Sequence, residues 1–314
     1  MRAKILLLPA NRPGDRMALS AGQILTEISA AFGHVFMLMR EKIGENSVKA
    51  YDVPLTGETV DAAKVSAAAL LLSASEEDAQ VLQDALELAV EISAFCVPAS
   101  LCRRHEIPAR LWIAKALATD AETLASAADT VFRYARERDA AIACVPPSGA
   151  ARADWESALA QAQREHPQVK VVQSLPRDIM RDMLLAPAQG RIVFCPPYAG
   201  ELFRAAACAS FAYPNISHSI ALGESTAVFS AGAALGKAHD DPFSLAYAII
   251  DLLRIGLGLE NEAACVEAAV NNVLMSGWRT ADLSSDEPVE PERIIELICE
   301  QISVAGELMN KGAF

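Results

Sequence analysis

Cationic side chains are the clearest deficit of this chain: 27 lysines and arginines stand against 40 aspartates and glutamates. The resulting formal charge of −13 repels phosphate backbones and anionic lipid, so no nucleic-acid-binding and no membrane-surface role is expected. No window approaches the roughly 18 continuous apolar residues that a membrane span needs. The apolar run within Met1–Pro9 is too short for a secretory signal, and a cytoplasmic location is the expectation. Seven cysteines are scattered without a C-x-x-C pair, as expected of reduced, mostly buried thiols rather than a disulfide framework or a sulfur-ligated metal. Low-complexity tracts and internal repeats are missing as well. Aromatics reach only 6%, yet 52% of residues are apolar, which suits an Ala/Leu/Val-rich α/β protein and excludes disorder. At 314 residues the chain is long enough for two domains.

The stretch from Pro187 to Gly223 sets the pattern for the rest. Arg191–Cys195 is short, apolar and β-rich, as in a buried parallel strand. Pro196-Pro197 bars helical continuation through its end, and Gly200 is expected to open a helix over Glu201–Ala209. Ligands of open α/β sheets bind at the carboxyl ends of strands, so chemistry is expected at this turn. The same alternation recurs along the chain. Strands are expected at Lys4–Leu8, Val35–Met39, Ala67–Leu72, Trp112–Leu117, Ala140–Val145 and Val169–Val172. Asn11–Asp15 reads as a turn before a helix over Arg16–Phe32, and Glu76–Ser93 as a helix capped by Ser75. Thr119 is placed as the cap of a helix through Ala135. Further helices are expected at Trp155–Glu165, Phe243–Leu257, Asn261–Met275 and Glu292–Leu308. The fold class is therefore α/β, an open, mostly parallel sheet flanked by helices.

Specific residues carry a resemblance. Pro187-Ala188 and Gly200 fall at the spacing of P-A-x-x-D-V-V-V-T-E-N-L-F-G-D-I-L-S-D in isocitrate and isopropylmalate dehydrogenases. Leu8, Pro9 and Gly14 match L-P-G-D-G-I-G-P-E, and Asp52, Pro54-Leu55 and Glu58-Thr59 match D-x-x-P-L-P-x-E-T-L with nearly the same spacing. Val228-Phe229, Gly236-Lys237, Pro242 and Thr280-Ala281-Asp282-Leu283 extend the similarity over nearly the whole chain. The resemblance implies the two-domain isopropylmalate dehydrogenase-like fold. Residues 1–102 and 212–314 would form the larger, cofactor-side domain and 103–211 the smaller, dimerisation-side one.

Catalytic members of this family oxidise a 2-hydroxy acid with NAD and release its β-carboxylate as carbon dioxide. They need Mg²⁺ or Mn²⁺ held by carboxylates, arginines that clamp carboxylates, and a lysine and a tyrosine to move protons. By resemblance, Val97 and Lys115 stand here at two of the arginines, the third has no aligned counterpart, with Arg103 or Arg104 the nearest stand-ins, and Pro147 replaces the lysine. Asp178 and Glu201 remain as metal candidates, while Ala205 occupies another aspartate position. T-E-N becomes Cys195-Pro196-Pro197, and the clasp loop carrying the tyrosine is missing. Lys237 and Asp241 are what persists at the abbreviated adenosine loop, a degenerate NAD site. Asn11, Arg12, Lys115 and His218 are the candidates for holding a small carboxylate.

Each of these admits a plain structural reading beside the functional one. Glu201 suits a helix N-terminus and Asp178 local capping or pairing. His218 reads as a polar loop residue, and His239-Asp240-Asp241 as a solvated acidic turn. Tyr134 reads as a packing residue, and Cys195 as a buried thiol. The expected function is that of a pseudoenzyme: a structural or regulatory partner, or a small-carboxylate binder, with no catalytic residue and no cofactor. By resemblance it forms a homodimer or joins a heteromeric dehydrogenase as a subunit. The alternatives are an NAD- and metal-dependent decarboxylating dehydrogenase, and a repurposed enzyme built on Arg12, Asp15, Lys115, Asp178, Glu201 and His218.

Overall fold

Aliphatic runs become buried strands, and the polar turns between them begin helices. The computed structural model describes residues 1–97, 109–185, 189–210, 218–231, 233–234, 237–238, 241–283 and 287–310. The chain starts with β1 (Arg2–Pro9), α1 (Arg12–Phe32), β2 (Val35–Arg40), α2 (Gly44–Tyr51), α3 (Gly57–Lys64), β3 (Ala68–Leu72) and α4 (Glu76–Ala85). Next come β4 (Val90–Val97), β5 (Ala109–Ala116), α5 (Ala121–Glu137), β6 (Ala141–Cys144), α6 (Ala151–Glu165) and β7 (Val171–Gln173). They are followed by α7 (Pro176–Leu185), β8 (Gln189–Cys195), α8 (Pro197–Ser210) and β9 (His218–Leu222). The last stretch holds β10 (Ala227–Ala231), the short β11 (Ala233–Ala234) and β12 (Lys237–Ala238), α9 (Pro242–Asp251), α10 (Glu260–Met275) and α11 (Pro291–Asn310).

Two units result, Met1–Leu86 with Thr226–Phe314, and Glu87–Ser225. These dividing lines differ from those expected after 102 and before 212, because β4 and β9 pair with each other, and β4 with β5, inside the second unit.

In the first unit the strand order is β2-β1-β3-β10, with β1–β2, β1–β3 and β3–β10 all parallel. Ile5, Leu6, Leu8 and Leu70 are fully buried, as parallel strands covered on both faces require. Helix α1 starts earlier than expected, at Arg12 rather than Arg16. Asn11 lies extended as its N-cap and accepts a hydrogen bond from the Gly14 amide, and Pro13 fits the first turn, where no N–H is needed. Gly14 permits a close backbone approach: a Cβ there would lie 2.5 Å from the Leu72 carbonyl oxygen. Ser75 does cap α4, in a reciprocal arrangement with Asp78. That helix ends at Ala85, however, and not at Ser93. Glu87 turns left-handed (φ 53°), and Val90–Val97 becomes a strand with Val90 and Ile92 fully buried. Helix α9 also stops short of Leu257, giving way to a π-helical turn at Leu252–Gly256.

In the second unit the order is β9-β4-β5-β8-β6-β7. β4 runs antiparallel to β9 and β5, while β5, β8, β6 and β7 are mutually parallel. Fully buried Phe194 of β8 stacks on Trp155 of α6 at 4.4 Å between ring centroids. Helix α5 is capped by Asp120, which accepts from the Thr123 amide, and not by Thr119. Helix α8 opens at Pro197, ahead of the expected Glu201. Proline suits this N-terminal position, and the Gly200 amide already donates back to Pro196 O at 3.0 Å. Among the described residues no helix is long and apolar enough to cross a membrane.

Candidate functional site

The candidate site of the second unit forms where β5 and β8 end and α8 begins. Lys115 and Cys195 are register partners near the carboxyl ends of these parallel strands. Antiparallel β4 starts at the same edge, which sets Glu91 directly opposite Lys115. Lys115 Nζ lies 2.8 Å from Glu91 Oε2 and 2.5 Å from Glu201 Oε1. The other oxygen of Glu201 accepts from Arg204, one helical turn on, at 2.9 Å. Gly200 makes room for this arrangement, since a Cβ there would meet the Lys115 stem at 2.7 Å.

Two carboxylates and two cations therefore close on each other, and their formal charges cancel. Lys115 and Glu91 are each only 16% exposed, so neither ion could lose its partner without leaving a poorly solvated charge. Burial works to depress the Lys115 pKa, but Glu91 and Glu201 outweigh it and hold the ammonium above its ordinary range. Burial likewise works to raise Glu201, and Lys115 with Arg204 outweighs it and lowers the carboxyl.

The other expected residues of this unit are spread along it. Asp178, in the first turn of α7, accepts from Arg181 at 3.2 Å. Pro147 is buried in the turn after β6. His218 is no loop residue: it opens β9 in register with Ala94 and is 6% exposed, the strand carrying its ring inward. Val97 ends β4 opposite Ala109, and its side chain lies outside the described residues, as do Arg103 and Arg104. Cys195 is fully buried, its Sγ donating to Ala114 O at 3.6 Å, and burial drives the thiol pKa upward, away from a nucleophile's range. Tyr134 is buried on α5 against Trp112.

In the first unit the turn after β1 is closed mainly by neutral groups. Asn11 Nδ2 donates to Ser73 O at 2.6 Å while its Oδ1 accepts from Gly14 N at 3.0 Å. Asn46 Nδ2 reaches Pro9 O (3.1 Å), Asn11 O (3.3 Å) and Asp15 Oδ1 (3.1 Å). Arg40 pairs with Asp15, and Arg12 is exposed at the start of α1. Asp241 is the buried N-cap of α9, accepting from Ser244 N at 2.7 Å and Phe243 N at 3.3 Å. Burial pushes its pKa up to about 6 in spite of those hydrogen bonds. Lys237 lies in β12 opposite Ala234, with its side chain outside the described residues; His239 and Asp240 are outside them altogether.

These placements do not fit the metal of the family reaction. Both oxygens of Glu201 are held by cations, so it offers no free oxygen to a hard divalent ion, and one oxygen of Asp178 accepts from Arg181. Asp241 likewise spends both oxygens on backbone amides instead of facing an adenine. Glu91 and Asn46 escape a reading of the sequence. Glu91 is hidden by the helical period that runs toward Ser93, although Val90-Glu91-Ile92-Ser93-Ala94 alternates as a strand does. No sequence signal ties Asn46 to the β1 turn. Among the described residues one cluster of three metal-donor side chains exists elsewhere, Asp129, Glu165 and His166.

Comparison with known proteins agrees with this architecture. The 3-isopropylmalate dehydrogenase of Bacillus subtilis (strain 168) is 24% identical over an alignment of 347 positions, covering 91% of this chain and 93% of that protein. The enzyme of that name from Shouchella clausii is 22% identical, covering 97% and 98%. The crystal structure of isocitrate dehydrogenase from Methylococcus capsulatus superposes with a TM-score of 0.81 at 15% identity, over 96% of this chain and 99% of the other. The TT0538 protein from Thermus thermophilus gives 0.82 at 15% identity, over 96% and 68%. Residues 114–298, more than half of the chain, match the sequence profile of isocitrate/isopropylmalate dehydrogenase, and the chain belongs to that family.

Proposed function

We propose that this chain is a non-catalytic member of its family, acting as a structural or regulatory partner or as a binder of a small carboxylate. The observation that carries this reading is Lys115 gripped by Glu91 and Glu201, with Glu201 gripped again by Arg204. Lys115, left from the substrate clamp, and Glu201, one of the two carboxylates left from the metal site, pair with each other. Pro147, buried where the resemblance puts the proton-shuttling lysine, has no proton to give. Neither NAD nor Mg²⁺ or Mn²⁺ is expected as a cofactor. The test is an absorbance assay of the purified chain with isopropylmalate, isocitrate, malate or tartrate, NAD or NADP, and Mg²⁺ or Mn²⁺. No reduced nicotinamide is expected to form; turnover of any one substrate would overturn the proposal.

The names of the relatives favour a second reading, an NAD- and metal-dependent dehydrogenase of a 2-hydroxy acid. It requires Glu201 to leave Lys115 and Arg204 before an ion could be held. For assembly we favour a homodimer. Tyr198 and Leu202, one turn apart on α8, are 78% and 49% exposed, and Leu185 on α7 is 70% exposed, an apolar face suited to a second copy. Light scattering at low protein concentration tests this, and a monomer mass would count against it; a complex formed only with a catalytic family member would favour the heteromeric arrangement.

A further inference from the structure

We propose that β2 is an interface between two copies of this chain, each adding its edge strand to the other's sheet about a two-fold axis. The surface lies in the first unit and shares no residue with α8 or with the Lys115 network.

β2 ends the strand order, with β1 on one side and no strand on the other among the described residues. Its backbone alternates between the two. The Val35 amide donates to Met1 O at 2.9 Å and the Glu41 amide to Leu7 O at 3.1 Å, so the odd positions face β1. Phe36, Leu38 and Arg40 therefore turn their N–H and C=O groups outward, a ready template for another strand. Proteins usually blunt such an edge with proline, lysine, a bulge or an inward charge. β2 has no proline, no lysine and an unbroken register with β1, and its one charged residue, Arg40, comes last.

Apolar side chains flank the edge on both faces. Val35 and Met37, on one face, are 50% and 46% exposed. Leu38 is exposed on the other face, beside α1: Asp15 of that helix holds Arg40, and a Cβ at Gly22 would meet Leu38 at 3.8 Å. Leu19 shares the helical stripe of Asp15 and Gly22, so it stands over the same edge, 67% exposed.

Charge selects a second copy as the occupant. The chain carries a formal charge of −13, which works against self-association over most of its surface. On β2 the single charge of Arg40 is neutralised by Asp15. Antiparallel pairing with Leu38 on the axis sets Leu38 against its own copy, Met37 against the partner's Met39 and Phe36 against the partner's Arg40. No like charges meet, the three outward positions exchange backbone hydrogen bonds, and the Arg40 guanidinium gains an aromatic neighbour.

The test is residue-resolved hydrogen exchange of the full chain at low and at high protein concentration. At high concentration the Phe36, Leu38 and Arg40 amides are expected to slow about tenfold or more, while those of Val35, Met37 and Met39, already facing β1, change less. Leu38→Lys and Leu38→Glu each set like charges opposite each other and should abolish the effect. Mixing the two variants should restore it, and Tyr198→Lys on α8 should leave it intact. Exchange at the three amides that does not depend on concentration would overturn the proposal: if fast, nothing covers the edge, and if slow, a segment of the same chain does. Survival of the effect in both Leu38 variants, its failure to return in the mixture, its loss in Tyr198→Lys, or its appearance only with a different protein would overturn it too.

Discussion

The turn from β1 into α1 and the turn from β8 into α8 face the same packing problem with different chemistry. Each brings a proline near the helix start, and each uses a glycine where a Cβ would collide, Gly14 against Leu72 O and Gly200 against the Lys115 stem. The first is closed mainly by the amides of Asn11 and Asn46, which satisfy backbone groups directly. The second is closed by four charges that pair with one another. Neutral closure depends little on pH or salt, while ionic closure depends on every member keeping its charge. Under the proposed reading, the ionic one also occupies Lys115 and Glu201, the groups that a substrate or a metal would need.

The widest separation between the two is expected from removing a charge. Lys115→Met should cost about 3–5 kcal/mol, because Glu91 is left buried without its counter-ion. Urea denaturation measures this, and Glu91→Gln in the same chain should recover much of the loss. Gly14→Ala should cost about 1–3 kcal/mol by overpacking against a backbone oxygen that cannot swing aside. Its denaturation midpoint should move equally at low and high salt.

Asp241 sharpens the contrast through pH. Its folded pKa, about 6, lies above the ordinary 3.8, so the fold binds its proton more tightly than the unfolded chain does. Its contribution to stability therefore falls as pH rises from about 4 to about 6. Asp241→Asn keeps a good cap without the charge and should be more stable than the parent at pH 8 by about 3 kcal/mol, with no difference near pH 3. Glu201, lowered by Lys115 and Arg204, has the opposite sign: its contribution is present at neutral pH and lost as acid protonates it. Glu201→Gln should flatten that acid limb in thermal melts across pH. Asn11→Ala, which removes a neutral cap, should cost only about 1 kcal/mol at every pH.

Legibility follows the range of the interactions. The apolar strands β1, β3 and β8 and the Ser75 cap are readable because their signals lie within a few residues. The helices that open at Arg12 and Pro197 start earlier than expected because proline and glycine read as punctuation, although the first turn tolerates both. The break at Glu87 is masked because Leu82, Leu86 and Val90 hold a helical spacing that burial between β9 and β5 overrides. Lys115 and Glu201 are identified by resemblance, but their mutual pairing spans 86 positions and Glu91 reads as part of a helix, so the closure itself is invisible in the sequence.

The most direct measurement is the melting temperature of the purified chain with NAD, Mg²⁺ and isopropylmalate or isocitrate added together. Ligands that bind the native state must raise it. An unchanged melting temperature is predicted; a saturable rise that Lys115→Met abolishes, accompanied by formation of reduced nicotinamide, would contradict a site closed on itself.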